Sequence, residues 1–385
     1  MPQRTEDEPH SSSVHPGGAP EPLDAVCVGE TMALLIPDGR QPDEPGADRP
    51  SRASGTGPDS GTGRASGTGP GPDSDGPCAP PRFHAEIGGA ESNVAVHLAR
   101  AGRSAAWLSA LGDDPFGRLV RSRLTDAGVR CVARTDHERS TGLYMKEPRP
   151  EGTRVRYWRR DSAASTLGRA DAAQAWRLRP RLVHTSGITA ALSASADGLV
   201  EELLGTAPSG TLRSFDVNYR PALHGPGNAD RLLDLARRAD LVFCGLDEAR
   251  SLWGVTDLRR LRELLRGPEL LVVKQGAEGA TAVRGDRSWF QPAPRVEVVE
   301  PVGAGDAFAA GFLDRFLDDA PLPDCLAEGA RLAGTVLGIH GDIPSHPVAA
   351  PATRDSRDSH GVAGSRGSHA SRPAWETVSG PDLGA

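Results

Sequence analysis

Short apolar runs that close on glycine or a polar residue recur along most of this 385-residue chain, and helical patterns separate most of them. DAVCVG (24–29), RLVHTSG (181–187), LRSFDVN (212–218), ADLVFCG (239–245) and LLVVKQG (270–276) are the clearest. Each run is short enough to be a strand and too uniformly apolar to have a solvent face. A strand buried on both sides needs helices above and below it, which is the arrangement of parallel sheets. The alternation therefore predicts an α/β fold: a mostly parallel central sheet with helices on both faces. In such sheets ligands gather outside the carboxyl ends of the strands, so the residues that close each run are the first functional candidates.

The helical stretches support this layout. ESNVAVHLARAG (91–102) places Val94, Leu98 and Ala101 on one face and stops at Gly102. DPFGRLVRSRLTDAG (114–128) follows the strand-like SAAWLSALG (104–112). One segment breaks the rhythm. TGLYMKEPRPEGTRVRYWRRDSA (141–163) is two runs joined by turn residues 147–152, and Val155, Tyr157 and Arg159 alternate with Arg156, Trp158 and Arg160. RFHAEIGG (82–89) alternates through Phe83, Ala85 and Ile87. These runs predict a small antiparallel sheet standing off the main one as a lid.

Three segments lack the apolar residues that could offset chain entropy: 1–22, the near-repeat RASGTGPDSGTG and RASGTGPGPDS within 39–81, and 347 to the end. The expected organisation is one domain over 23–346, interrupted by a 39–81 insertion in a surface loop, with disordered tails on either side. A net charge of −7 argues against general affinity for nucleic acid. No run approaches the ~18 apolar residues of a membrane span, and the polar, acidic start is unlike a secretory signal. The five cysteines, Cys27, Cys78, Cys131, Cys244 and Cys325, are odd in number and widely spaced. They read as reduced, mostly buried thiols of a cytoplasmic protein, with no zinc-ligand spacing. Lysine occurs only at Lys146 and Lys274.

The most informative stretch is EPVGAGDAFAAGF (300–312). Pro301 breaks a β-like run, Gly303-Ala304-Gly305 permits a sharp turn, and Phe308, Phe312 and Phe316 then recur every fourth residue, so a helix begins there. A glycine-rich turn feeding a helix N-terminus points unpaired N–H groups at one spot. That is an anion site with Asp306 at its lip. An N-cap aspartate after a flexible turn explains the same residues equally well. The turn fits neither GxxxxGK[ST] nor GxGxxG.

GGAESNVAVHLARAG with LGDDPFG, and VGAGDAFAAGF near the C-terminus, together resemble the two signature regions of the ribokinase-like (PfkB-type) carbohydrate kinases, in the right order and over nearly all of the folded part. The resemblance implies a ribokinase-like three-layer fold and ATP-dependent phosphorylation of a sugar-like hydroxyl. Asp306 would be the general base, ionised at neutral pH, with Gly303, Ala304 and Gly305 forming the anion hole. GETMALLIP, TGLYMKE, RYWRRDSAAS, HTSGIT, FDVNYRPALH, VVKQGAEGA and GDIP look like the 2-keto-3-deoxygluconate kinase branch. On that likeness Gly88, Gly89, Asn93, Tyr144, Tyr157, Arg159, Ile188, Arg220 and Asp342 would line the sugar pocket. Lys274, Gly276, Gly279, Gly303 and Gly305 would hold the nucleotide, and Glu248 would organise Mg²⁺ through water. Arginine suits the carboxylate of an aldonic-type substrate. Solvated or packing roles remain the alternative for Arg159, Arg220 and the two tyrosines, as does a snorkelling role for Lys274. His184 reads as packing or as a hydrogen bond behind the site.

Three positions depart from the family pattern: Glu300 for an aspartate, Gly245 for an asparagine, and Ala330 for an asparagine that often faces adenine. The expected activity is phosphorylation of the 6-hydroxyl of 2-keto-3-deoxygluconate by ATP and Mg²⁺. A kinase of a neutral sugar and a non-catalytic sugar or nucleotide sensor are the alternatives. The lid is the candidate surface for a homo-oligomer.

Overall fold

The computed structural model describes residues 21–37, 82–147, 154–225, 227–339 and 341–343. The expectations for the 39–81 insertion, for residues 1–20, for the 347–385 tail and for the turn at 148–152 lie outside the described residues, as does Cys78.

In chain order the elements are β1 (Ala25–Val28), β2 (Met32–Pro37), β3 (Phe83–Gly88), α1 (Ala90–Arg100), β4 (Ala105–Gly112), α2 (Pro115–Asp126), β5 (Arg130–Asp136), β6 (Leu143–Glu147), β7 (Arg154–Trp158), α3 (Arg169–Arg177), β8 (Leu182–Ser186), α4 (Gly187–Ala190), α5 (Ala194–Gly205), β9 (Leu212–Asp216), α6 (Asn228–Arg238), β10 (Leu241–Gly245), α7 (Leu246–Trp253), α8 (Leu258–Leu264), β11 (Leu270–Lys274), β12 (Gly279–Arg284), β13 (Arg287–Pro292), α9 (Ala304–Phe316) and α10 (Leu322–Leu337). The main sheet runs β13-β12-β11-β10-β9-β8-β1-β4-β5. Its pairings are parallel from β5 across to β11, and antiparallel only for β11–β12 and β12–β13. The parallel runs are those whose apolar stretches are visible in the sequence. The β12–β13 hairpin was not, because its outer strand is half exposed and its pattern is weak.

Strand residues alternate between two cores, as the pleat requires. Leu241, Phe243, Leu270 and Val272 face a cluster built with α1, α9 and α10; Val242, Cys244, Leu271 and Val273 face one built with α6 and α8. Ala25 and Cys27 join the first face, whereas Val26 and Val28 pack with residues of α3 and α5. Three layers result. On α9 the spacing read from the sequence holds: Phe308, Phe312 and Phe316 stack in a row, and Phe243 meets Phe312 edge-on at 5.6 Å. Cys27, Cys244 and Cys325 are buried and Cys131 partly so. His184 takes the packing role, with Nδ1 2.9 Å from Ser214 Oγ and its ring against Phe243.

The second sheet runs β3-β2-β6-β7. It is antiparallel except for β2–β6, which pair in parallel. Strand β2 completes the lid and belongs to a run, GETMALLIP, noticed only as a motif. Phe83 is exposed and Ile87 buried, so the period-two pattern of β3 did not by itself identify the covered face. No helix among the described residues is long and apolar enough to cross a membrane.

Candidate active site

The C-terminal ends of β1, β8, β9, β10 and β11 and the N-terminus of α9 meet beneath the lid. Gly303 caps α9 in the left-handed region, with φ 86°. A Cβ there would lie 2.9 Å from the Asp342 carbonyl oxygen, so glycine answers both the backbone and the space. Among the described residues no acceptor pairs with the N–H of Gly303, Gly305 or Asp306, and the Ala304 N–H makes only a long 3.4 Å contact to Pro301 O. The first turn of α9 thus presents open donors at the positive end of a helix. Glu300 supports the turn from behind, accepting from Val302 N at 3.3 Å.

Asp306 is partly buried at this turn, and Asn93 Nδ2 donates to its Oδ2 at 2.8 Å. Its carboxyl is pushed up to about 7, first by burial and then by the nearby charge of Asp216. Asn93, Arg220 and Lys274 pull the other way. This corrects the expectation of a carboxylate fully ionised at neutral pH. A helix N-terminus favours the anion, but burial beside a second carboxylate outweighs it.

Lys274, at the end of β11, donates to Asp216 Oδ2 at 2.7 Å, and its Nζ stands 3.5 Å from where a Gly305 Cβ would be. It therefore faces both an aspartate and the anion turn, and its charge is felt at Asp306. Asp216 closes β9, is 2% exposed, and leaves Oδ1 without a partner. It was not among the expected site residues, although it lies within one of the diagnostic runs, LRSFDVN. Next to it, Glu248 Oε2 accepts from Gly245 N at 2.9 Å, and a Cβ on Gly245 would crowd Asp247 Oδ1 at 2.4 Å. The glycine is thus the residue that lets Glu248 cap its own helix. Burial holds the Glu248 carboxyl above the ordinary carboxylate range, with Lys274 opposing. Gly276 (φ 59°) and Gly279 (φ 140°, against Gln291 O) shape the turn after β11. Ala330 is 7% exposed and packs in the α9–α10 core.

On the lid side, Tyr144 OH donates to Asp342 Oδ2 at 2.6 Å, and Lys146 Nζ lies 2.8 Å from Asp342 Oδ1 and 3.9 Å from Glu300 Oε2. A Cβ on Gly88 would strike the Tyr144 hydroxyl at 1.9 Å, and one on Gly89 the Glu30 carbonyl oxygen at 2.2 Å, so the two glycines admit close approach. Tyr144 stacks on Tyr157, and the Arg159 guanidinium lies 5.8 Å from the Tyr157 ring centre. Arg159 is not a free fork: Nη2 pairs with the buried Glu30 Oε2 at 2.5 Å. Arg220 is more open. Half exposed, its Nη1 donates to Tyr219 O at 3.0 Å and lies 3.6 Å from Glu248 Oε1, and its charge reaches both Asp306 and Tyr157. Ile188 sits in α4, whose neighbours Ser186 and Thr189 each donate to Glu91 Oε1 at 2.6 Å. Sequence reasoning missed Glu30, Glu91, Asp216 and Lys146. The last had one signal, since both lysines of the chain lie here, each paired with an aspartate.

Of the expected site residues, Asn93, Asp306, the 303–305 turn, Lys274, Arg220 and Glu248 thus form one group. Gly88, Tyr144 and Asp342 form another that meets it at Gly303. The arrangement offers a carboxylate beside open amides, a lysine and a half-exposed arginine, which suits transfer of an anionic group to a hydroxyl.

Comparison with known proteins agrees. Residues 70–349 match the description "pfkB family carbohydrate kinase". A 2-dehydro-3-deoxygalactonokinase of Haloferax volcanii is 38% identical over 265 residues, 66% of this chain and 83% of that protein. A 2-dehydro-3-deoxygluconokinase of Bacillus subtilis is 34% identical over 276 residues, 69% of this chain and 85% of that protein. A crystal structure of a PfkB protein from Polaromonas sp. superposes with a TM-score of 0.65 at 32% identity, covering 81% of this chain and 95% of that one.

Proposed function

The chain belongs to the pfkB carbohydrate kinase family, and on that premise we propose that it transfers the γ-phosphoryl group of ATP to the 6-hydroxyl of 2-keto-3-deoxygluconate. One observation carries the reading: the Asp306 carboxylate, held by Asn93, stands beside the unpartnered amides of the α9 turn. The hydroxyl oxygen forms a bond to the γ-phosphorus as the bond to the leaving ADP oxygen breaks, and the proton passes to Asp306. Amides of residues 303–305 and the Lys274 ammonium stabilise charge spread over the transferring oxygens, which is most of what phosphoryl transfer asks of a protein.

The acidic residues suit Mg²⁺. Among the described residues no three His, Cys, Asp or Glu gather into a cage, but this ion takes one or two carboxylates, phosphates and several waters. Asp216, with its unpartnered buried Oδ1, and Glu248 would hold its waters. When bound, the ion would neutralise phosphate charge.

Arg220 is assigned to the substrate carboxylate. A coupled assay of ATP consumption with keto-deoxy sugar acids and neutral sugars tests the reading. The expected result is turnover with the sugar acids and a KM raised about 10- to 100-fold by Arg220→Ala, the size of a lost charge-assisted hydrogen bond. Similar resemblance to galactonate- and gluconate-type relatives makes both epimers part of the panel. The Glu30–Arg159 pair favours one second reading, a kinase of a neutral sugar, because it leaves Arg220 as the more exposed of the two arginines. Turnover of fructose or ribose with none of the sugar acids would establish it.

A further inference from the structure

The loop that carries Arg220 is anchored by a histidine with no part in the chemistry above. His224 is 4% exposed. Its Nδ1 lies 3.0 Å from Arg220 N and 3.0 Å from Arg220 O, while Nε2 lies 3.1 Å from Gly187 O. A backbone N–H can only donate, so Nδ1 must be bare to accept from Arg220. Nε2 then carries the proton and donates to the Gly187 carbonyl. This neutral tautomer satisfies the Arg220 N–H and Gly187 contacts, and the Arg220 carbonyl needs no donor from the ring because it already accepts from Leu223 N and His224 N, each at 2.9 Å. The ring thereby bridges the loop after β9 to the first residue of α4, and these two elements carry Arg220 and Ile188. The bridged loop is an unfavourable one: Asn218, two residues before Arg220, has φ 43°. The Tyr219 ring packs on His224 with centroids 5.3 Å apart.

Resting on the assignment of Arg220 to the substrate carboxylate, we propose that His224 is a positioning residue: its neutral Nε2–H ring pins the Arg220 backbone to the start of α4 and sets where the guanidinium meets that carboxylate.

The groups facing the ring fit this role. Burial disfavours a second proton, as do the charges of Arg220 on its own loop and Arg159 from the segment after β7, while the Arg220 and Gly187 carbonyls pull the other way. Across a small cavity that His224 lines, Asp197 and Arg231 are closed on each other at 2.7 Å. Where acid does protonate the ring, Nδ1 becomes a donor, opposes the Arg220 N–H and turns to its carbonyl. A side chain without either nitrogen removes the pin, which should raise the KM for the sugar acid while sparing the KM for ATP.

The test compares the wild type with His224→Phe, which keeps a ring and loses both nitrogens, and His224→Asn, whose amide oxygen replaces the Nδ1 acceptor. The expected result is a KM for the keto-deoxy sugar acid raised about tenfold in His224→Phe, with kcat and the KM for ATP within about twofold of wild type, and most of the loss recovered in His224→Asn. A nitrogen-15 spectrum of the wild-type ring at neutral pH should show a bare Nδ1. A wild type that phosphorylates no sugar acid overturns the underlying assignment. With an active wild type, an unchanged KM in His224→Phe, an asparagine variant no better than phenylalanine, or a protonated Nδ1 each overturns the positioning role alone.

Discussion

Asp306 shows how a residue's neighbours set its chemistry. Burial and Asp216 lift its carboxyl to about 7, and Asn93 holds it down. A base must be deprotonated to act, so kcat/KM should rise with pH through about 7 in the free enzyme. Asn93→Ala should move that limb upward, because the donor that favours the carboxylate is gone. Asp306→Asn should lower kcat by about 10²- to 10⁴-fold, the usual worth of a general base. The same variant has an opposite expectation for stability. A carboxyl whose folded pKa exceeds its unfolded value of 3.8 binds a proton in the native state, and that stabilisation is lost as pH rises through about 7. Asp306→Asn should therefore melt above the wild type at about pH 9, with a smaller gap at about pH 5 and none below the unfolded value of 3.8. Differential scanning calorimetry at the two pH values checks it. Asp306 and the glycine turn were legible in the sequence because a local pattern encodes them. The raised pKa was not, since it comes first from burial in the folded site and then from Asp216, ninety residues away in the chain.

Among elements, the junction of the lid with the anion turn is the most consequential. Strand β6 sends Tyr144 and Lys146 into the carboxylate of Asp342, whose carbonyl oxygen in turn covers Gly303. Lys146, Asp342 and Glu300 are each at most 5% exposed. A buried pair adds little net stability, but removing one partner leaves an uncompensated charge. Lys146→Met should cost about 3–5 kcal/mol in urea unfolding, and adding Asp342→Asn to it should restore part of the loss. If the double variant is as unstable as the sum of the singles, the coupling is absent. This junction was invisible in the sequence for a plain reason. The run TGLYMKE announces a two-faced strand, but not which face meets a segment two hundred residues later. Arg159 makes the same point in reverse: the family likeness implied a substrate contact, and its Nη2 pairs with Glu30 instead.

The whole molecule rests on a sheet whose two faces are read alternately by two sets of helices, with Phe312 central to one of them. It is fully buried between Phe308, Phe316 and Phe243. Phe312→Ala should destabilise the protein by about 3–5 kcal/mol, the range for a large aromatic lost from a packed core; a urea midpoint unchanged from wild type would refute that packing. By itself the sequence determined the layered α/β class, the parallel runs, the family and the glycine turn with its aspartate. All of these are written in local periodicity or in contiguous motifs, where a few neighbouring residues suffice. The tertiary structure alone decided which charges meet: Lys274 with Asp216, Lys146 with Asp342, Arg159 with Glu30, and Arg220 with Glu248. Electrostatic partners are chosen by distance in space, and folding brings strand ends far apart in the chain to one edge of the sheet.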